Sequence, residues 1–229
     1  MPRKPIFILF SILLSGMLFA ACQFQPSPTP LPASPQPTTL STDKLTVLFR
    51  DDFSHPDSGW DTMHEKDATI TYTDQGAYRI WLNYPHTVIW GNPGLSFTDS
   101  RIEVDAIKAA GPDNNQFGII CRYQDADNFY FFIISSDGYY GIGKTKDGQQ
   151  TLLTDDGNMT FSSSIAKGHT PNHLRADCVG HSLALWVNGH VLATVQDADF
   201  TRGDVGLLVG TFNEPGADIL FDNFAVYQP

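Results

Sequence analysis

The sequence predicts an all-β fold, an antiparallel sandwich or barrel, on three observations. Apolar residues recur with period two, not 3.6, over most of the chain after residue 44. Asn188-Gly189 stands between two alternating segments, a strong short-range hairpin signal. Finally, 18 of the 19 glycines and 24 of the 28 aromatics follow residue 44, and no stretch carries a long amphipathic helical pattern. Many glycines and aromatics with few charges suit short strands and tight turns.

The N-terminus has a different character. Arg3 and Lys4 precede the apolar run 6–20, and Ala21-Cys22 closes it. A basic start, a short apolar stretch and small residues before a boundary mark a secretory signal over 1–22. The run is short for a stable membrane span. Leu18-Phe19-Ala20-Ala21-Cys22 resembles the lipobox of bacterial lipoproteins, which implies that Cys22 is lipidated. The expected location is the outer face of a bacterial membrane or envelope, with the membrane as a partner through the N-terminal lipid. Residues 23–44 hold six of the 15 prolines. They read as a disordered, extended Pro/Ser/Thr-rich linker that cannot bury a core.

The third segment, 45–229, is the folding domain. Losing the signal and its two bases takes the net charge from −11 to −13. That sign repels phosphate backbones and argues against nucleic-acid binding. The odd cysteine count calls for an explanation in an exported protein. With Cys22 assigned to lipid, Cys121 and Cys178 remain, and an oxidising compartment favours pairing them. Two separate buried thiols are the alternative.

Expected strands run, in order, over 45–53, 68–73, 77–82, 101–107, 117–123, 129–135 and 139–144. They continue over 151–153, 173–179, 183–187, 191–195, 204–211 and 219–227. Asp74-Gln75-Gly76, Asp137-Gly138 and Asp147-Gly148 mark further turns. Within this pattern, Asp-Asp-Phe…Gly-Trp (51–60), GIICRYQDADNFYFFIISSDGYYGIGK (118–144), LRADCVGHSLALWVNG (174–189) and ILFDNFAVYQ (219–228) resemble the concanavalin A-like lectin/glucanase superfamily. Laminin-G-like and 3-keto-disaccharide-hydrolase-type domains are the nearest in look. The resemblance implies a two-sheet jelly roll with adjacent first and last strands, and a ligand often carried on the concave sheet. By strand parity Cys121 and Cys178 face the interior, which suggests a structural disulfide beneath one sheet.

Candidate chemistry follows from parity. Glu103 and Asp105 project from one strand face about 6.6 Å apart along it, a separation in the range of paired glycosidase carboxylates. The family 16 glycoside hydrolases of that superfamily carry a further glutamate, where this chain has Ile107 and Lys108. Arg79, Glu103, Asp105, Arg122, Arg175 and Asp177 oppose the apolar parity of their strands. If those strands share a sheet, they form a mixed-charge surface that either grips sugar hydroxyls or pairs internally. Trp81 is expected off the core. Tyr84, His86 and Trp90 fall in a Gly/Pro-rich loop or edge and form the expected aromatic platform. Trp60 and Trp186 are expected in the core or at an end. A structural calcium is conceivable where Asp51, Asp52, Asp222 and Asn223 meet, although no single loop supplies the six to eight oxygens required. No HExxH, CxxC, G-x-S-x-G or phosphate-loop motif occurs. The expected function is a non-catalytic carbohydrate-binding or scaffold domain. A glycoside hydrolase acting on a 3-keto-disaccharide or glucan, and a purely structural interaction domain, are the alternatives. Oligomeric state is not readable from the sequence.

Overall fold

The computed structural model describes residues 45–229. The signal, Cys22 and the linker lie outside the described residues. Strands follow in chain order as β1 (Val47–Asp51), β2 (Met63–Glu65), β3 (Ala68–Tyr72), β4 (Tyr78–Leu82), β5 (Val88–Gly91), β6 (Ser100–Ala110), β7 (Asn115–Asp125) and β8 (Asn128–Ile134). After these come β9 (Tyr139–Lys146), β10 (Gln149–Leu152), β11 (Thr160–Phe161), β12 (Asn172–Val179), β13 (Ser182–Val187), β14 (His190–Gln196), β15 (Asp204–Thr211) and β16 (Ala217–Tyr227).

They form two antiparallel sheets. The nine-stranded sheet is ordered β14-β13-β12-β6-β16-β4-β3-β2, with β1 on β16, and the seven-stranded sheet β10-β9-β8-β7-β15-β5, with β11 on β9. First and last strands pair as expected, with Val47 opposite Tyr227. The Asn188-Gly189 hairpin is present, and both residues have positive φ, 52° and 82°, as a type I′ turn requires. Segment 88–91, read as loop or edge, is the edge strand β5. The short β2 and β11 carry too little alternation to stand out in sequence.

Period-two alternation fills the space between the sheets. Ile102, Val104, Leu174 and Ala176 from one sheet meet Phe117, Ile119, Phe132 and Ile134 from the other in one buried cluster. Each of the larger side chains among these contributes about 1.5–3 kcal/mol of burial. Trp60 joins this core, edge-on to Phe53 at 5.3 Å and to Phe224 at 4.8 Å between ring centroids. The whole assembly lies within one compact unit, Asp43–Pro229, which therefore carries its own core.

The Cys121–Cys178 disulfide is closed. It joins β7 to β12 and therefore ties the two sheets together. The expectation of a bridge beneath a single sheet is corrected: parity faces both sulfurs inward, but it does not say from which layer. A disulfide is the mark of an oxidising, extracytoplasmic compartment. Among the described residues no helix is long and apolar enough to cross a membrane.

One rim of the sandwich is held by ions. The Tyr130 hydroxyl donates to Asp197 at 2.6 Å, and Lys144 Nζ donates to Asp197 and Asp199 at 2.5 Å each. Burial works against the Asp197 carboxylate, but the bonds from Lys144 and Tyr130 outweigh it and hold its pKa below the usual range. Bonds from Lys144 and Lys146 do the same for Asp199. A carboxylate with a lowered folded pKa contributes stability above its unfolded value, about 3.9, and loses it as pH falls through the folded value. Urea midpoints should therefore fall on acidification below about pH 4. The difference between the unaltered protein and Asp197→Asn should shrink over the same window. On the alkaline side, burial pushes Tyr130 up to about 12. Stability should decline between the ordinary phenol value near 10 and that point.

Candidate functional site

The mixed-charge surface exists, on the outer face of the nine-stranded sheet. Strands β6 and β12 lie side by side and set His173 opposite Asp105, Arg175 opposite Glu103 and Asp177 opposite Arg101. Directly opposed side chains of this kind are the natural partners on a sheet face. Arg79 and Trp81 of β4 stand on the same face, beyond β16.

Much of this charge is internally paired. Arg79 binds Asp218 through two bonds, at 2.8 and 2.7 Å. Arg175 grips Asp177 through two bonds, Arg101 adds a third at 3.1 Å, and the Arg175 guanidinium lies 4.5 Å over the Trp186 ring. Trp186 is therefore on this outer face, not in the core or at an end, because its parity on β13 opposes the buried Leu185 and Val187.

What remains open is a second unit beside those pairs. His173 Nδ1 lies 2.8 Å from Asp105 Oδ1, and Nε2 lies 3.8 Å from Glu103 Oε2. Asn223 Nδ2 donates to the other Asp105 oxygen at 2.9 Å. Asn223 reaches Asp105 because β16 bulges between Asp222 and Ala225 and puts Asn223 at φ 55°. Bulges of this kind re-aim side chains. Three hollows meet here. The largest, about 590 Å³, is walled by Asp105, His173, Asn188, Leu220, Asp222 and Asn223. A second, about 280 Å³, adds Arg50, Asp52 and Glu103, and a third, about 170 Å³, adds Arg175 and Trp186. His173 borders all three.

The expected ligand residues are thus dispersed. Trp81, Arg79, Arg175 and Asp177 share the outer face, and of these four Arg175 lines one of the three hollows at His173. Tyr84 is exposed in the β4–β5 connection at one end of the sandwich. Trp90 lies on the outer face of the other sheet, 5.3 Å from Phe129 and 6.3 Å from Tyr123 between ring centroids. There it packs, half-buried, against Ile120, Phe131, Ile133 and Leu208 of a second apolar cluster, apart from the charged face.

Arg122 is the clearest correction. It belongs to the seven-stranded sheet, is 2% exposed, and has φ 52° where β7 bulges after Cys121. The bulge breaks the parity rule and turns the guanidinium inward. It donates to the carbonyls of Thr98, Gly180, Phe200 and Cys178 and to the Asp99 carboxylate, at 2.8–3.4 Å. It is a buried structural clamp.

The residues proposed for calcium do not fit it. Asp51 accepts from Ser58 Oγ and the Phe53 amide, Asp52 from the Ser54 hydroxyl and amide, and Asp222 from the Asn223 amide. Hydrogen bonding to Ser54 holds the Asp52 carboxyl below its usual range. Among the described residues no three histidine, cysteine or acidic side chains converge as a cation site.

Sequence reasoning missed His173 and Trp186 as site residues, although each carried a readable signal, since it opposes the apolar parity of its strand. Asn223 was considered beside Asp51, Asp52 and Asp222 as a calcium ligand; its contact with Asp105 was not readable, because a bulge decides its direction.

The two sheets, their connectivity and this open face define a concanavalin A-like jelly roll. No family model matches the chain, and no curated protein does. Solved structures match the fold. The carbohydrate-binding module CBM66 from Bacillus subtilis superposes with a TM-score of 0.60 at 18% identity, over 74% of this chain and 96% of that one. A Bacillus licheniformis β-glucanase gives 0.58 at 12% identity, over 79% and 97%. A Bacillus subtilis protein of unknown function with a galectin-like fold gives 0.60 at 10%, over 80% and 96%. These superpositions establish a shared fold and no more, and a fold of this kind hosts several functions.

Proposed function

We propose that the chain is a surface lipoprotein that binds a neutral glycan, without cleaving it, on the outer face of its nine-stranded sheet. The observation that carries the reading is the meeting of three hollows at His173, between Glu103, Asp105 and Asn223. Carboxylates, an imidazole and a carboxamide held at fixed spacing match vicinal sugar hydroxyls, which both donate and accept. The acidic net charge disfavours anionic polysaccharides. The structural likeness to a carbohydrate-binding module and to glucanases supports a sugar and leaves the chemistry to be read from the site.

The site favours binding over hydrolysis. A glycosidase acid must present a proton to the leaving oxygen. Both Asp105 oxygens are already engaged, by His173 and Asn223, and Glu103 faces the same imidazole. Turnover of a 3-keto-disaccharide or glucan that disappears in Glu103→Gln and Asp105→Asn would overturn the non-catalytic assignment.

The binding test is a glycan array followed by calorimetry on the unit 43–229. His173→Ala and Asp105→Asn should each weaken binding about tenfold or more, since the first removes a hydrogen-bonding ring and the second the carboxylate it faces. Binding that survives both substitutions places the sugar elsewhere. The anchor is tested separately: Cys22→Ser should abolish fatty-acid labelling and release the protein from the membrane fraction.

A further inference from the structure

We infer that the end of the sandwich formed by the β4–β5, β6–β7, β8–β9 and β15–β16 connections is a second sugar-binding site, taking a neutral pyranose unit by ring stacking and carboxamide hydrogen bonds. It shares only the ligand class with the proposed function and stands on separate residues.

A hollow of about 520 Å³ opens there, bordered by His86, Asn114, Asp137, Tyr139, Phe212 and Asn213. Each connection contributes at least one of these residues. Three of the four connections cross between the sheets and the fourth closes a hairpin, so the walls rest on both layers.

The walls are laced together. Asn115 of β7 is buried and bonds Pro112 O, Ser136 Oγ and the Ser136 amide, which joins two connections. Gly111 packs backbone to backbone on Gly216, where an added Cβ would fall 2.1 Å from the Gly216 oxygen. Thr211 Oγ1 donates to the Tyr84 carbonyl, and the His86 amide donates to Phe212 O at 2.8 Å. A site whose walls are held before the ligand arrives loses less freedom on binding.

The aromatic side chains supply the second observation. Among the described residues, the three aromatics more than a third exposed are Tyr84 at 48%, Tyr139 at 40% and Phe161 at 50%. All three belong to this end. Tyr139 borders the hollow and Phe161 lies opposite it on β11, their rings 5.7 Å apart and nearly perpendicular. Phe161 is held from two further sides. Lys167 Nζ sits 4.6 Å from its centroid. Gly138 makes room for the ring, since a Cβ there would lie 2.9 Å from Phe161 Cε2. Exposed rings fixed this firmly keep apolar surface at the solvent boundary, where the C–H face of a pyranose can pack.

Hydrogen-bonding groups surround those rings. Asn114 and Asn213 are exposed, and their carboxamides make no hydrogen bond among the described residues. Each offers two donors and an acceptor. Asp137 is oriented by the Ser135 hydroxyl, which also receives the Tyr139 amide. Ring faces beside oriented polar groups, in a preformed hollow on a rigid scaffold, make a ligand site.

The test follows backbone amide resonances of the unit 43–229 while neutral oligosaccharides are added to millimolar concentration. Resonances of 84–87, 111–115, 135–139 and 212–214 should move as one group, on a different concentration dependence from those around Glu103, His173 and Asn223. Tyr139→Ala should weaken the response of the end loops about tenfold and leave the sheet-face response unchanged. Asn114→Ala with Asn213→Ala, which removes no described structural bond, should weaken it while preserving the spectrum of the folded domain. Movement at the sheet face alone, or an end-loop response indifferent to both sets of substitutions, overturns the second site. Movement at the end loops alone supports it while removing the sheet-face assignment. Silence at both places overturns both.

Discussion

Replacing Arg122 by alanine is expected to cost the fold about 3–5 kcal/mol, the range for removing one partner of a buried, hydrogen-bonded charge. The guanidinium satisfies four backbone carbonyls, from Thr98, Cys178, Gly180 and Phe200, besides Asp99. Those carbonyls lie just before β6, at the end of β12 and its turn into β13, and in the β14–β15 connection, so a side chain from the other sheet gathers them at this end of the sandwich. Without it, the carbonyls must admit water into the gap or remain unpaired, at about 1–3 kcal/mol per group left unsatisfied. Thermal unfolding should move down by about 6–20 °C for a domain of this size. Arg122→Lys should recover little, because an ammonium on a flexible stem cannot reproduce the planar fork of donors. The result also separates two roles. A ligand-binding arginine would lose affinity on substitution and keep its melting temperature, whereas a structural clamp reverses that pattern.

Removing the disulfide should have an effect of similar size. Cys121 and Cys178 are separated by 57 positions in sequence. Closing a loop of that length restricts the unfolded chain enough to contribute about 4 kcal/mol in the chain-entropy model. Paired Cys121→Ala and Cys178→Ala substitutions, compared with the oxidised protein by urea titration, should show this loss as a lower midpoint. The two perturbations should not add. Arg122 Nη2 donates to the carbonyl of Cys178 at 3.4 Å, and Arg122 follows Cys121 directly. Groups that share a backbone segment couple, so the combined variant should lose measurably less than the sum. An additive result would show that clamp and staple stabilise independent parts of the fold.

Strand parity carried most of the outer face correctly. Arg79, Trp81, Glu103, Asp105, Arg175 and Asp177 all lie on uninterrupted stretches of β4, β6 and β12, where successive side chains must alternate. On those stretches burial on one face determines the other. Arg122 and Asn223 broke the rule for one reason: each sits at a bulge with positive φ, where the extra residue resets the alternation. Trp90, read as part of a loop or edge, lies half-buried on the edge strand β5, on an outer face that is itself apolar, away from the charged face. His173 was readable on β12 yet became meaningful only beside Asp105, 68 positions away in sequence.

Local chemistry in the chain was enough to determine most of the strands, the turn at Asn188-Gly189 and which sulfurs face inward, because alternation and turn residues act over a few positions. Which sheet each strand joins, and so whether the disulfide binds one layer or two, was settled only by tertiary structure. The same holds for the groove at His173 and the hollow at Tyr139. Both are assembled from strands and connections far apart in sequence, and register between such segments follows from packing that no short window of residues contains.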